Sequence, residues 1–287
     1  MSKAQEPESH QGSDVKLKAV FKWVVRIGLA ALVVFAGYLF LKEPSHARNW
    51  KTAHEKLPQV EIQDNLISIR GVRNFRYNSD ETVASKDYYD RTYDLDKLSG
   101  LWFGVQLFGG EAVGHAFVSF EFGDGTYLVL SIEARQEVGE SYSVLNGFLR
   151  EYELIYILAD ERDVIGLRTH VRKKDVYLYR IVAPLENIRG YLVRQMTRAQ
   201  EIYQVPEFYN SITQNCATSL FEMTKIPALK RYSDYRVLLS GYAYRLLYEI
   251  SAIDTTRPVE EVRRRALLDP SRTRLDAEDF SRALRGL

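Results

Sequence analysis

The 287-residue sequence contains a single cysteine, Cys216, so no disulfide can form within one chain. Its charges almost cancel, with 39 Lys and Arg against 38 Asp and Glu, which argues against nucleic acid as a partner. It also lacks a P-loop, a GxGxxG loop, a GxSxG motif and any Cys, His and carboxylate cluster with metal-ligand spacing. We therefore expect neither a bound metal nor a cofactor.

Only one apolar run is long enough to cross a bilayer, and we assign it to residues 20–42. Trp23 and Tyr38 lie where interfacial aromatic residues are expected. Basic residues are more frequent before the run than after it, which predicts that residues 1–19 form a cytoplasmic tail and that the rest lies outside. A cleaved signal peptide ending near Ala47 is the alternative interpretation.

The residues after the run change from an irregular to a strand-like pattern. Residues 43–64 are interpreted as a linker, although alternation of apolar and polar residues begins at Val60. HAFVSFEF and TYLVLSIEAR, joined by the turn sequence GDG at residues 123–125, predict a β-hairpin. ELIYILAD and DVYLYRIVAP predict two further strands.

Helical spacing replaces this pattern in the second half of the chain. Apolar residues recur every three or four positions over residues 185–203, and Pro206 ends that helix. Further helices are predicted from Asn215, within residues 235–250, and within residues 270–287, where Asp276 is a candidate cap. The order of elements predicts an α+β fold with a mostly antiparallel sheet followed by helices.

Cys216 lies in the stretch TQNCATSLF, at the predicted start of a helix. A free cysteine can be a small buried apolar residue, or it can be a nucleophile. The unpaired N–H groups and the dipole of a helix N-terminus favour a thiolate, so the sequence predicts a lowered thiol pKa. The same N–H groups could stabilise an oxyanion on an acyl substrate.

A thiol nucleophile needs a base, and the most suitable of the five histidines is His115. His10 lies in the tail, His46 and His54 lie in the linker, and His170 lies among cations. His115 instead opens the first strand of the predicted hairpin, after a glycine-rich bend.

The second strand of the hairpin carries Glu133, which could orient the imidazole from across the strands. Glu133 could equally form a surface ion pair with Arg135 or Arg162. The residues alone therefore leave both interpretations open.

Seven segments together resemble a known family. In chain order they are VRNFRYNSDE, YDRTYDLDKLSGLWF, GHAFVSFEFGDG, SIEARQEVGESYS, YELIYILADERDVIGLR, VYLYRI and FYNSITQNCATS. Over residues 65–225 they resemble the extracytoplasmic domain of the bacterial lipoprotein N-acyltransferases that form lyso-lipoproteins. The resemblance implies a permuted papain-like domain, followed here by a helical extension at residues 226–287.

The resemblance also implies the site and its chemistry. Cys216 would be the nucleophile, His115 the base and Glu133 the third member, and we expect Asn215 and Tyr209 to contact the substrate. The implied partners are membrane lipids or lipidated proteins, for a single-pass protein of the bacterial inner membrane. A thioester acyl-enzyme would form and pass its chain to an amine or to water.

Two other functions remain open. A thiol amidase or peptidase of the cell wall should have an open polar groove, whereas a lipid enzyme should have an apolar tunnel beside Cys216. A non-enzymatic binding module would keep Cys216 as a buried structural residue, far from His115.

Overall fold

The computed structural model describes residues 11–108 and 110–287, so most of the predicted cytoplasmic tail lies outside the described residues. The first element is helix α1, Gln11–Leu41. Within it, Lys18–Leu41 is long and apolar enough to cross a membrane. This agrees with the predicted anchor, and the remaining chain, Pro44–Leu287, forms a separate compact unit.

The compact unit is built on a sheet with strand order β1-β2-β9-β8-β7-β6-β10, in which β5 also pairs with β2. The strands are β1 Gln59–Gln63, β2 Leu66–Arg73, β3 Arg76–Tyr77, β4 Val83–Ser85, β5 Tyr88–Asp94, β6 Leu98–Leu107, β7 Gly114–Phe122, β8 Tyr127–Arg135, β9 Glu153–Ala159 and β10 Val176–Arg180. The β2–β9 pair is parallel and the other pairs in this sheet are antiparallel, while β3 and β4 form a separate two-stranded ribbon.

Helices cover both faces of the sheet. They are α2 Val144–Phe148, α3 Glu161–Gly166, α4 Leu185–Gln204, α5 Cys216–Glu222, α6 Tyr235–Leu238, α7 Ala243–Glu249, α8 Val259–Ala266 and α9 Phe280–Arg285, with a π-helical turn at Leu167–Val171. Alternate residues of β8 point to opposite faces. Leu130 packs in the core layer formed with α4 and α5, and Val129 packs in the layer formed with α3 and α9.

The α+β class is therefore confirmed, and so is the central hairpin. β7 and β8 pair in antiparallel fashion around the predicted turn, where Gly125 has a φ of +82° that favours glycine. The amphipathic helix predicted at residues 185–203 is α4, which ends before Pro206. The sheet is mixed because β2 lies parallel to β9.

Two boundaries differ from the sequence interpretation. Residues 44–64 are not a free linker, because they contain β1 and bury Trp50 and His54 against the sheet. The Arg135 guanidinium binds this segment in two ways. It lies 4.1 Å from the Trp50 ring centre in a cation–π contact, and it donates a hydrogen bond to the backbone oxygen of His54. Residues 226–287 likewise pack within the same unit, and Asp276 pairs with Arg274 instead of capping a helix.

Candidate active site

The strands β7 and β8 separate at the end of the hairpin that carries the predicted base. β7 begins at Gly114, but it pairs with β8 only from Phe117 onward, whereas β8 continues along β9 to Arg135. His115 and Ala116 therefore pair with β6 on one side and leave an opening on the β8 side.

Helix α5 brings Cys216 to this opening. It packs against β7 and β8, and the backbone of Ala116, the residue after His115, lies close enough to the Cys216 sulfur to favour its thiolate. Cys216 as a whole is half-buried. The predicted nucleophile and the strand end that bears the predicted base are thus neighbours, although Cys216 follows His115 by 101 positions in the sequence.

Asn215 starts α5 as a capping box. Its Oδ1 accepts the backbone N–H groups of Ala217 and Thr218, each at 2.9 Å, and the Thr218 hydroxyl accepts the backbone N–H of Asn215. The sequence predicted that unpaired N–H groups at this helix start could act as oxyanion donors, but the cap already uses those of Ala217 and Thr218. The Asn215 amide also donates to the Ser211 carbonyl, so its contact with substrate stays a prediction.

His115 and Glu133 meet through a serine. His115 Nε2 lies 2.7 Å from Ser131 Oγ, the Ser131 hydroxyl donates to Glu133 Oε1 at 2.7 Å, and Nε2 lies 3.5 Å from that same Oε1. Because the Ser131 hydroxyl uses its hydrogen in the bond to the carboxylate, its oxygen accepts the N–H of His115 Nε2. Nδ1 is then the unprotonated nitrogen that can accept a proton.

Two further side chains hold the Glu133 carboxylate. His54 Nδ1 accepts the backbone N–H of Gln136 at 3.0 Å, so its Nε2 carries the proton and donates to Glu133 Oε2 at 3.3 Å. Arg168 Nη2 donates to Glu133 Oε1 at 3.4 Å. Burial would raise the pKa of Glu133, but the hydrogen bond from His54 and the charges of His115 and Arg168 outweigh it and hold the pKa well below its usual range.

Cys216 and His115 are both neutral near pH 7. Burial lowers the pKa of His115 to about 4, even though Glu133 acts in the opposite direction. Burial also raises the pKa of the Cys216 thiol, more than the nearby Ala116 backbone lowers it. The lowered thiol pKa predicted from the helix N-terminus is therefore wrong, because burial and the charge of Glu133 favour the thiol there.

This charge state predicts the pH dependence of alkylation. The rate at which iodoacetamide labels Cys216 should rise about tenfold for each pH unit between pH 7 and 9, since only the thiolate reacts. Mass spectrometry measures the labelling directly, because Cys216 is the only cysteine and Cys216→Ser is an exact blank. A fast labelling phase that is constant below pH 8 would reveal a thiolate–imidazolium pair and contradict this assignment.

Tyr209 is close enough to the thiol for the two groups to interact electrostatically. Its ring is buried, and burial together with the nearby Cys216 raises its pKa, so the phenol stays protonated. Its hydroxyl lies 3.2 Å from that of Tyr142. The structure thus brings this predicted substrate contact to the site, but its role stays a prediction.

An apolar cavity of about 670 Å³ opens along the far end of α5. Its lining includes Phe103, Val118, Leu220, Phe221, Leu229 and Leu247, with Arg189, Arg194 and Lys225 among its polar residues. Cys216 is not among the described residues that line it. Leu220, which does line it, follows Cys216 by four residues, about 6 Å along the helix axis.

The sequence interpretation missed Ser131, His54 and Arg168. Ser131 could have been found, because it precedes Glu133 by two residues on the same face of β8. His54 could not, since nothing in the pattern of residues 43–58 shows that this segment folds onto the sheet.

Comparison with known proteins identifies one family. The model of a family described as the Lnb N-terminal periplasmic domain matches residues 84–241, more than half of the chain. The matched region contains His115, Ser131, Glu133 and Cys216, whereas His54 precedes it. No curated protein and no solved structure matches the chain.

Proposed function

The chain belongs to the family of the Lnb N-terminal periplasmic domain, and on that premise we propose that it is a membrane-anchored cysteine acyltransferase or acyl hydrolase. Its substrates would be lipoproteins or other acylated molecules of the cell envelope. Cys216 would carry the acyl chain as a thioester, His115 would be the base, and the domain would be a permuted papain-like fold.

The position of Cys216 beside the end of β7 carries this proposal. Helix α5 packs on β7 and so brings the thiol close to the backbone that follows His115, and His115 is the first member of a hydrogen-bonded series through Ser131 to Glu133. A buried structural cysteine would not need an imidazole fixed in one tautomer nearby. This arrangement favours an enzyme over a binding module.

The chemistry follows from the neutral resting state. His115 Nδ1 takes the thiol proton while the Cys216 sulfur attacks the ester carbonyl carbon and a C–S bond forms. The tetrahedral intermediate collapses, the C–O bond breaks, and His115 returns the proton to the leaving alkoxide. An amine or water then attacks the thioester, gives its proton to His115, and releases the thiol with the acylated product.

Glu133 would favour the imidazolium that forms during each proton transfer. Its carboxylate is ionised and reaches His115 both directly and through Ser131. His54 and Arg168 would position that carboxylate without contacting the reacting atoms.

The apolar cavity supports an acyl substrate over a cell-wall peptide. A hydrophobic space of this volume suits an aliphatic chain, and it lies one turn of α5 from the nucleophile. A cell-wall peptide would call for a polar groove instead.

The periplasmic family and the one membrane-length apolar helix among the described residues together fit a single-pass anchor that carries a periplasmic domain. We place the anchor in the bacterial inner membrane, with the N-terminus in the cytoplasm.

The test offers the reconstituted full-length protein two substrates: a diacylglyceryl lipopeptide and a peptide from the cell wall. We expect the lipopeptide to lose one acyl chain, as a free acid or as an amide, and Cys216→Ser to abolish this loss. Cleavage of the cell-wall peptide alone would identify a thiol amidase. No reaction with either substrate would favour a binding module.

A further inference from the structure

Helix α2 and the loop before it expose apolar side chains in an unusual concentration. Val138, Tyr142, Val144, Leu145 and Phe148 form what we call the apolar strip, and their exposed fractions are 61%, 51%, 57%, 63% and 39%. Single exposed apolar residues are ordinary, but a group of this kind marks an interaction surface.

The packing of α2 is the reverse of that in an ordinary surface helix. Its buried residue is Gly147, where an added Cβ would lie 2.2 Å from Ser211 Oγ and 3.2 Å from the Tyr209 ring. The glycine thus lets the helix lie close against residues 209–211, while its valine, leucine and phenylalanine face outward. The fold holds this apolar face outward.

The apolar strip adjoins the segment by which the anchor joins the compact unit. The backbone N–H of Ser45 donates to Glu153 at 3.1 Å, and that of Val138 donates to the Asn49 carbonyl at 2.8 Å. Ser45 follows Leu41, the last residue of α1, by four positions, so the chain can separate them by at most about 14 Å. An anchor in a bilayer would therefore keep this edge of the unit near the lipid surface.

From these observations we propose that the apolar strip is a membrane-docking surface that inserts into the interface of the bilayer in which α1 is anchored. The occupant is lipid because the tether fixes which surface is within reach, and because valine, leucine, phenylalanine and tyrosine suit the boundary between headgroups and acyl chains. Glu137 and Glu140 flank Val138 in the sequence, so binding would depend on apolar contact and not on anionic lipid.

Docking there would bring the candidate site to the level of the lipid. The Tyr142 and Tyr209 rings meet edge to face at 6.1 Å, and the Ser211 hydroxyl donates to the Val144 carbonyl at 2.7 Å. Tyr209 is in turn close enough to Cys216 for the two side chains to interact electrostatically. One member of the apolar strip, Tyr142, thus contacts a residue of the candidate site directly.

The experiment uses site-specific fluorescence in the full-length protein. Cys216→Ser removes the only cysteine, and Leu145→Cys then accepts the environment-sensitive dye NBD at one position. The protein is reconstituted in phosphatidylcholine vesicles, with or without lipids that carry a doxyl quencher on the acyl chain. Leu185→Cys is the matched control, because Leu185 is also a helical leucine with a similar exposed fraction, 53%.

We expect the dye at position 145 to show blue-shifted emission and to lose intensity when doxyl lipid is present, and the dye at position 185 to do neither. Raising the salt concentration should not change this result. Phe148→Cys provides a second labelled position and should behave like position 145. Equal quenching at positions 145 and 185 would overturn the proposal. A blue shift at position 145 without quenching would also overturn it, and would indicate that the apolar strip contacts protein instead of lipid. The assay needs no catalysis, so its outcome is independent of the proposed function.

Discussion

Replacing His115 with alanine is expected to lower the rate of acyl transfer by about 10²–10⁴-fold, the range typical of a general base. The loss should be large because the Cys216 thiol rests in its neutral form, so attack on the ester requires a group that takes its proton. The measurement is the initial rate of acyl loss from the lipopeptide by the reconstituted protein.

The matched control for this variant is His170→Ala. His170 lies in the π-helical turn, where its Nε2 contacts the Thr273 carbonyl, away from Glu133. Its loss should leave the rate within about twofold, since it has no part in the proton transfer. Equal losses in the two variants would show that His115 acts through stability and not as the base.

The largest expected effect on stability comes from Asp163. Its side chain is fully buried, accepts two hydrogen bonds from Arg73 at 2.8 Å each, and also accepts the backbone N–H of Phe75 and the hydroxyl of Tyr77. Asp163→Ala would leave the Arg73 guanidinium buried without its counter-charge. We expect the free energy of unfolding to fall by about 3–5 kcal/mol, measured by urea denaturation.

The control for burial is Asp276→Ala. Asp276 pairs with Arg274 at 2.8 Å, but both side chains are largely exposed. Removing such a pair should change the free energy of unfolding by less than about 1 kcal/mol. If the two variants lost similar amounts, the Arg73–Asp163 pair would not hold β2 to α3 as the structure indicates.

Some structural features of this molecule could be predicted from its sequence, and others could not. The central hairpin could be predicted because its alternation is regular and the turn sequence GDG separates the two strands. The same hairpin predicted that His115 and Glu133 lie close together, because residues opposite each other on neighbouring strands share one face of the sheet. Cys216 could be placed at a helix start because Asn215 is a preferred N-cap residue, and Asn215 does cap α5.

Other features of the site depend on contacts that have no local pattern. His54 reaches Glu133 only because residues 44–58 fold back over the sheet, which their irregular composition does not predict. The thiol pKa was predicted in the wrong direction because a helix N-terminus can be recognised in a sequence, whereas the burial that outweighs it cannot. The apolar cavity likewise arises from five separate stretches of chain.

The proposal that Cys216 carries the acyl chain as a thioester is tested most directly by trapping an acyl group on that residue. The full-length protein is mixed with the diacylglyceryl lipopeptide, quenched in acid and digested, and the peptide containing Cys216 is analysed by mass spectrometry. We expect a mass increase equal to one acyl chain on Cys216, which neutral hydroxylamine removes, as it does for a thioester, and which is absent in Cys216→Ser. Acyl loss from the lipopeptide that continues in Cys216→Ser, with no adduct on Cys216 in the wild-type protein, would contradict this proposal.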